Sequence, residues 1–238
     1  ATAEGAADLP YQFDNKLMQH LPTPTPIPVG YWRSVGHSYN AFFTECFMDE
    51  MANLANTDPI EFRLKHLPQH ADFQAVLRQL SDASNWSSPL PKGHGRGVAL
   101  HESFGTIVGQ VAEVSVTADK ELTIHKVTCV IDCGEVLNPD GVVAQMEGGI
   151  VFGSSAALYG QITTQEGSVE QSNFPDYDMV RLTNCPKIEV ILAPSGRPLG
   201  GIGEPGTPPI APAVANAIFA ATGTRIRELP LIKSGYLT

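Results

Sequence analysis

The chain has 238 residues, of which 42% are hydrophobic, enough for one large domain or two small ones with a real core. A formal net charge of −10 argues against a nucleic-acid partner, because an acidic surface repels phosphate backbones. Charged residues make up only 17%, so either the chain is unusually buried within itself or another chain covers much of its surface.

The first thirty residues end in "LPTPTPIPVG". Each proline restrains itself and the residue before it, so residues 1–30 are expected to form an extended strap rather than a helix. Residues 31–90 read as a helix-rich segment. From Ser38 onward Phe42, Phe43, Phe47, Met51, Leu54 and Ala55 follow a helical period, with Ser38 or Asn40 as the expected cap. Asp58-Pro59 opens a second helix, the aspartate capping and the proline in the first turn, with Ile60, Leu64 and Leu67 on its apolar face. A third short helix is expected over 71–82, followed by a Ser/Pro/Gly-rich linker, "SDASNWSSPLPKGHGRG".

In residues 91–238 the period changes to two. "GRGVALHES", "VAEVSV", "LTIHKVTCVID" and "IEVILA" read as strands. Between them "GVVAQMEGGIVFGSSAALYG" reads as a helix seeded with glycine and serine. Small residues inside a helix cost stability, so close approach of another backbone or a ligand is expected there. Nothing reads as a signal peptide or a membrane-spanning run, and "ATAEGAADLPYQF" reads like the middle of something, as from a processed or truncated chain. Cys46, Cys129, Cys133 and Cys185 form no CxxC pair. Cys129 and Cys133 lie roughly 13 Å apart if both sit on one strand, too far for a shared metal or a disulfide within it. The cysteines are expected to be small buried apolar residues.

Three glycine-rich segments carry the unusual residues: "WRSVGHS", "NPDGVVAQMEGGIVFG" and "GGIGEPGTPP". Each lies at or near an expected helix N-terminus, where free N–H groups favour anions. Glu204 is flanked by Gly203 and Gly206 and fixed by Pro205. A carboxylate held this stiffly, in a segment otherwise lacking charge, is expected to be partly desolvated, which suits a general base. The same residue also reads as a capping carboxylate at a helix start. Gln145 can donate and accept at once, which suits a polar heterocycle, or it can face solvent. Arg33 is either an anion clamp or a solvated loop arginine. His37 reads mainly as a loop or capping residue. His101 and Glu102 are adjacent on a strand and so point to opposite faces, which argues against an acid–base pair.

Four stretches in order, "WRSVGHSYNAFFTECFMDEMANLANTDPIEFRLKHL", "VIDCGEVLNPDGVVAQMEGGIVFGSSAALYG", "SNFPDYDMVRLTNCPKIEV" and "GGIGEPGTPPIAPAVANAIFAATGTRIRELPL", resemble the molybdenum-cofactor large subunit of the xanthine oxidase family, isoquinoline 1-oxidoreductase beta-subunit and bacterial aldehyde dehydrogenase type. The likeness covers nearly the whole chain. It implies an α+β fold, mixed sheets with packed helices, as part of a larger molybdopterin-binding subunit. It implies that Glu204 takes a proton from a hydroxyl on molybdenum. The oxygen attacks an electron-poor carbon of an aldehyde or N-heterocycle, and hydride passes to a sulfido ligand. Gln145 resembles the glutamine that contacts the pyranopterin. Arg33, Ser34, Val35 and Gly36, with Gly203, resemble cofactor-binding positions, although Ser34 stands where the family usually has glycine. The metal would be held by dithiolene sulfurs, with no protein ligand.

The resemblance further implies molybdopterin in the cytosine dinucleotide form, iron–sulfur clusters in a small partner subunit and an additional haem c subunit. It also implies a place on the periplasmic side of a bacterial membrane. The family's "MGQG"-type segment is absent, and four scattered cysteines cannot hold two iron–sulfur clusters. The chain is therefore expected to be the C-terminal third of a large subunit, wrapping the remainder. A non-catalytic assembly module that kept the cofactor-facing fold is the alternative.

Overall fold

The structure is a computed structural model that describes residues 3–25 and 27–237. Ala1, Thr2 and Pro26 of the expected strap, and Thr238, lie outside the described residues. Its centre is a four-stranded mixed sheet. Strands β1 (His94–Ser103), β2 (Thr106–Val116) and β3 (Leu122–Asp132) run antiparallel, and β6 (Lys187–Leu192) pairs in parallel with β3, Val127 opposite Ile188. Parallel neighbours need a crossover. Helix α4 (Pro139–Leu158), a two-residue hairpin pair β4 (Thr164–Gln165) and β5 (Ser168–Val169), and irregular chain supply it. The alternation read from the sequence decides the layers. Val98, Leu100, Val111 and Val130 face α2 (Pro59–Lys65) and α3 (Ala71–Ala83), while Ala99, Val108, Ala112 and Cys129 face α4 and α5 (Ile210–Thr222).

Helix α1 (Val35–Leu54) belongs to both layers. Its Phe42 and Cys46 enter the α4/α5 core, and its Met48 and Ala52 enter the α2/α3 core. It starts earlier than the sequence suggests, with Ser34 at its N-cap, while Ser38 Oγ bonds inside the helix to the Val35 carbonyl at 2.7 Å. Its buried face also differs from the apolar period. Glu45 and Asp49 are buried, whereas Phe43, Phe47 and Leu54 are 60%, 59% and 84% exposed. The buried acids are tolerated because arginines meet them, Arg63 at Glu45 and Arg225 at Asp49.

Glu45 is the hub of this region. Its carboxylate accepts from Tyr11 OH at 2.7 Å, Arg63 Nε at 2.9 Å and the Leu100 N–H at 2.8 Å. Asn216 of α5 donates to its carbonyl at 3.3 Å. The N-terminal segment, which turns over residues 3–8 before Tyr11 rather than running extended throughout, thus meets α1, α2, β1 and α5 at one residue. Burial and the Glu45 charge both push the Tyr11 hydroxyl's pKa up, and the Glu45 charge holds Arg63 protonated against the cost of burial.

The small-residue helices are explained by backbone contact. A Cβ at Gly97 of β1 would lie 2.1 Å from the Ala217 nitrogen, so α5 rides directly on the sheet backbone. A Cβ at Gly153 of α4 would lie 2.5 Å from Ile210 Cγ2 and 2.9 Å from the Thr207 carbonyl. Cys46, Cys129 and Cys133 are buried free thiols, and Cys133 lies just past the end of β3. Burial pushes the Cys129 thiol up to about 12. Among the described residues no helix is long and apolar enough to cross a membrane.

Candidate active site

The chain from Leu199 to Thr207 leaves the end of the sheet and leads into α5. It is fastened along its length. The Gly200 N–H donates to the Cys133 carbonyl at 3.0 Å, the Gly201 N–H to the Phe104 carbonyl at 2.8 Å, and Thr106 Oγ1 to the Gly201 carbonyl at 2.7 Å. Gln110, fully buried on β2, donates to the Gly206 carbonyl at 2.8 Å. Neither Gln110 nor Thr106 stands out in the sequence analysis above. A signal exists for Gln110: period two places it on the core face between Val108 and Ala112, where a polar side chain needs a partner.

Glu204 stands half-buried in the middle of this segment. Its Oε1 accepts from the Ser34 N–H at 3.0 Å, and its carbonyl accepts from Ser34 Oγ at 2.7 Å. Oε2 makes no hydrogen bond among the described residues. The capping reading therefore takes an unexpected form. Glu204 does not cap α5, whose N-cap is Pro209 with no side-chain bond. It sits across the fold at the N-terminus of α1, where the macrodipole favours a negative charge.

Arg33 closes the other side. Its Nε donates to the Gly203 carbonyl at 2.8 Å, and its Nη2 reaches the Gly203 carbonyl and Gln145 Oε1, the latter at 3.2 Å. The guanidinium also lies 5.7 Å from the Phe152 ring centre, and Trp32 packs on the same ring at 4.8 Å. Arginine, glutamine and the glutamate loop therefore come from three distant stretches to one place. Gln145 is exposed on α4; its Oε1 accepts from Arg33, and among the described residues its amide Nε2 has no hydrogen-bond partner. Val35 and Gly36 lie in the first turn of α1, behind Ser34.

His37 and His101 form a pair that no sequence pattern announces. His37 Nδ1 and His101 Nε2 are 2.9 Å apart in a buried contact, with Phe104 packed on the His37 ring. Burial and the neighbouring His37 push His101 down to about 3, and burial lowers His37 as well. Glu102 points the other way, to Arg197, as the strand alternation requires.

The sequence signature of the molybdopterin cofactor-binding domain matches residues 43–186. This chain belongs to that family. The matched span contains Gln145 but neither Arg33–Gly36 nor Glu204. Among curated relatives, the chain is 35% identical over 221 residues to the beta chain of isoquinoline 1-oxidoreductase from Brevundimonas diminuta, covering 90% of this chain and 28% of that protein. It is 32% identical to a membrane-bound aldehyde dehydrogenase (pyrroloquinoline-quinone) of Gluconacetobacter polyoxogenes, covering 85% and 29%. It is 31% identical to a nicotinate dehydrogenase subunit of Pseudomonas putida, covering 93% and 20%. The chain thus spans less than a third of these relatives. Quinoline 2-oxidoreductase from Pseudomonas putida 86 has the same fold, with a TM-score of 0.75 at 12% identity over 86% of this chain and 52% of that one. So does the aldehyde oxidoreductase of Desulfovibrio gigas, with a TM-score of 0.71 at 15% identity over 84% and 40%. The molybdopterin-binding family and the α+β fold expected from the sequence are therefore established.

Proposed function

We propose that this chain supplies the base-bearing part of a molybdenum hydroxylase that oxidises aldehydes to carboxylic acids or hydroxylates N-heterocycles. The observation that carries the reading is the asymmetry of Glu204: among the described residues Oε1 is tied to the Ser34 N–H and Oε2 has no hydrogen bond, while Arg33 clasps the carbonyl of the preceding Gly203 and Gln145 Oε1.

The residues present fit a molybdopterin. Gly148 and Gly203 are exposed, and a Cβ at either would meet nothing within 4 Å. A flat ring system can therefore lie close to backbone on this face, with the Gln145 amide to hydrogen-bond it. On the family resemblance, these residues would grip the pterin, and dithiolene sulfurs would hold the molybdenum. When bound, the cofactor supplies the oxygen that is transferred and takes up the electrons. Gln145 and the Arg33–Gly36 turn orient it, and Arg33 keeps Gly203 and Gln145 in register. Glu204 Oε2 would take up the proton released as the substrate is oxidised. A positioned carboxylate of this kind contributes about 10²–10⁴ in rate.

The remaining assignments rest on the family resemblance: a cytosine dinucleotide tail, a small iron–sulfur subunit, a haem c subunit and a periplasmic location. The exposed stripe of Tyr39, Phe43, Phe47 and Leu54 along α1 supports a further part of the large subunit covering this chain. One observation favours the assembly-module alternative: a carboxylate capping α1 has a structural use without turnover. Glu204→Gln in the assembled complex separates the two. Turnover of an aldehyde falls about 10²–10⁴-fold at unchanged molybdenum content if Glu204 is the base. Unchanged turnover leaves only the module.

A further inference from the structure

We propose that Ser34 is a positioning residue for Glu204, its backbone N–H aiming the carboxylate while its hydroxyl holds the carbonyl of the same residue. The proposal rests on the catalytic reading of Glu204 and adds the device that fixes it.

Ser34 is fully buried and adopts φ 71°, the left-handed region, and Val35 follows at φ 41°. Two successive non-glycine residues there are costly, the second being β-branched, and such strain persists only where the surroundings over-determine it. Glycine would take the Ser34 backbone freely. What the serine adds is its hydroxyl. A serine at an N-cap ordinarily turns that hydroxyl inward, to an N–H of its own helix. Ser34 makes no such bond, and its Oγ points instead to the Glu204 carbonyl at 2.7 Å. The left-handed backbone aims its own N–H at Glu204 Oε1, 3.0 Å away. The Thr207 N–H, also 3.0 Å from the Glu204 carbonyl, closes the loop from the far side. Both ends of the glutamate are therefore gripped by one buried residue 170 positions earlier, and Arg33 holds Gly203 immediately before it.

The test is a graded series in the assembled enzyme: Ser34→Cys, isosteric with a weak donor, Ser34→Ala, which keeps the strained backbone, and Ser34→Gly, which also frees it. Turnover of an aromatic aldehyde, molybdenum content and carbodiimide labelling of Glu204, read by peptide mass spectrometry, are measured together. Expected are kcat losses of about threefold for cysteine and about tenfold for alanine and glycine, at nearly constant KM and molybdenum content. Labelling of Glu204 quickens in the same order. Wild-type kcat and labelling in both the alanine and glycine variants overturn the proposal, and so does activity lost only in proportion to molybdenum. If labelling follows the order while Glu204→Gln leaves turnover intact, the brace stands and the hydroxylase reading falls.

Discussion

Glu45 and Glu204 are two glutamates tied to the same helix, and the fold treats them in opposite ways. Glu45 is wholly buried, and both its oxygens are occupied by Tyr11, Arg63 and the Leu100 N–H. Glu204 is half-buried, with only one oxygen bonded among the described residues. A carboxylate with donors on both oxygens and an arginine against it holds structure together and is poorly placed to take a proton. A carboxylate fixed by one oxygen keeps its direction and its reactivity. The difference lies in the number of donors each meets, not in residue type.

That contrast can be broken experimentally. The largest effect is expected at Glu204, where replacement by glutamine removes about two to four orders of magnitude of turnover yet leaves thermal unfolding nearly unchanged. Thermal scans of that variant that collapse along with activity would erase the distinction. Next is Arg63→Met, which strands the Glu45 charge in the core. Breaking one side of a buried ion pair costs about 3–5 kcal/mol, readable as a lowered urea midpoint. A loss under about 1 kcal/mol would mean that Tyr11 and Leu100 suffice. Gly97→Ala sets a methyl against the α5 backbone and should cost about 1–3 kcal/mol by the same measurement. It also displaces the chain leading from Glu204, so part of the activity goes with it.

The smallest effect concerns pH. His101 is held near 3 in the folded protein, against an ordinary value of 6.5. Between these values the unfolded chain binds more protons than the folded one, so stability falls as pH drops from 6.5 toward 3. Asp8, Glu4, Glu102 and Glu204 act on His37 in the opposite sense, moderating the loss. His101→Gln should flatten the dependence of the urea midpoint over that window. An unchanged slope would assign the acid sensitivity to the carboxylates.

Much of the framework is legible in the sequence because local chemistry and tertiary fold agree. Asp58-Pro59 opens α2, with the Asp58 carboxylate accepting from the Ile60 and Glu61 N–H groups at 2.8 and 3.1 Å. The alternating strands fall into the right layers. Helix α1 departs from its sequence pattern where agreement fails: its apolar residues lie on more than one side, and tertiary contacts choose the side holding Glu45 and Asp49. A charged residue in a helix gives no local sign that an arginine from another element will meet it. The same holds for His37 and His101, 64 positions apart. Glu204 stands out as a stiff acid, but spacing alone leaves it between capping and catalysis. The structure shows a cap made on another helix, which no local pattern encodes.

Helix α1 carries Ser34 at one end and Glu45 eleven residues further on, roughly 16 Å along the axis at 1.5 Å per residue. A stiff rod pinned midway behaves as a lever. A small tilt at the pin is delivered to the tip, where the serine meets the open-faced acid. If Glu204 is the base, sequence changes around Arg63 or Tyr11 reach its aim through the helix.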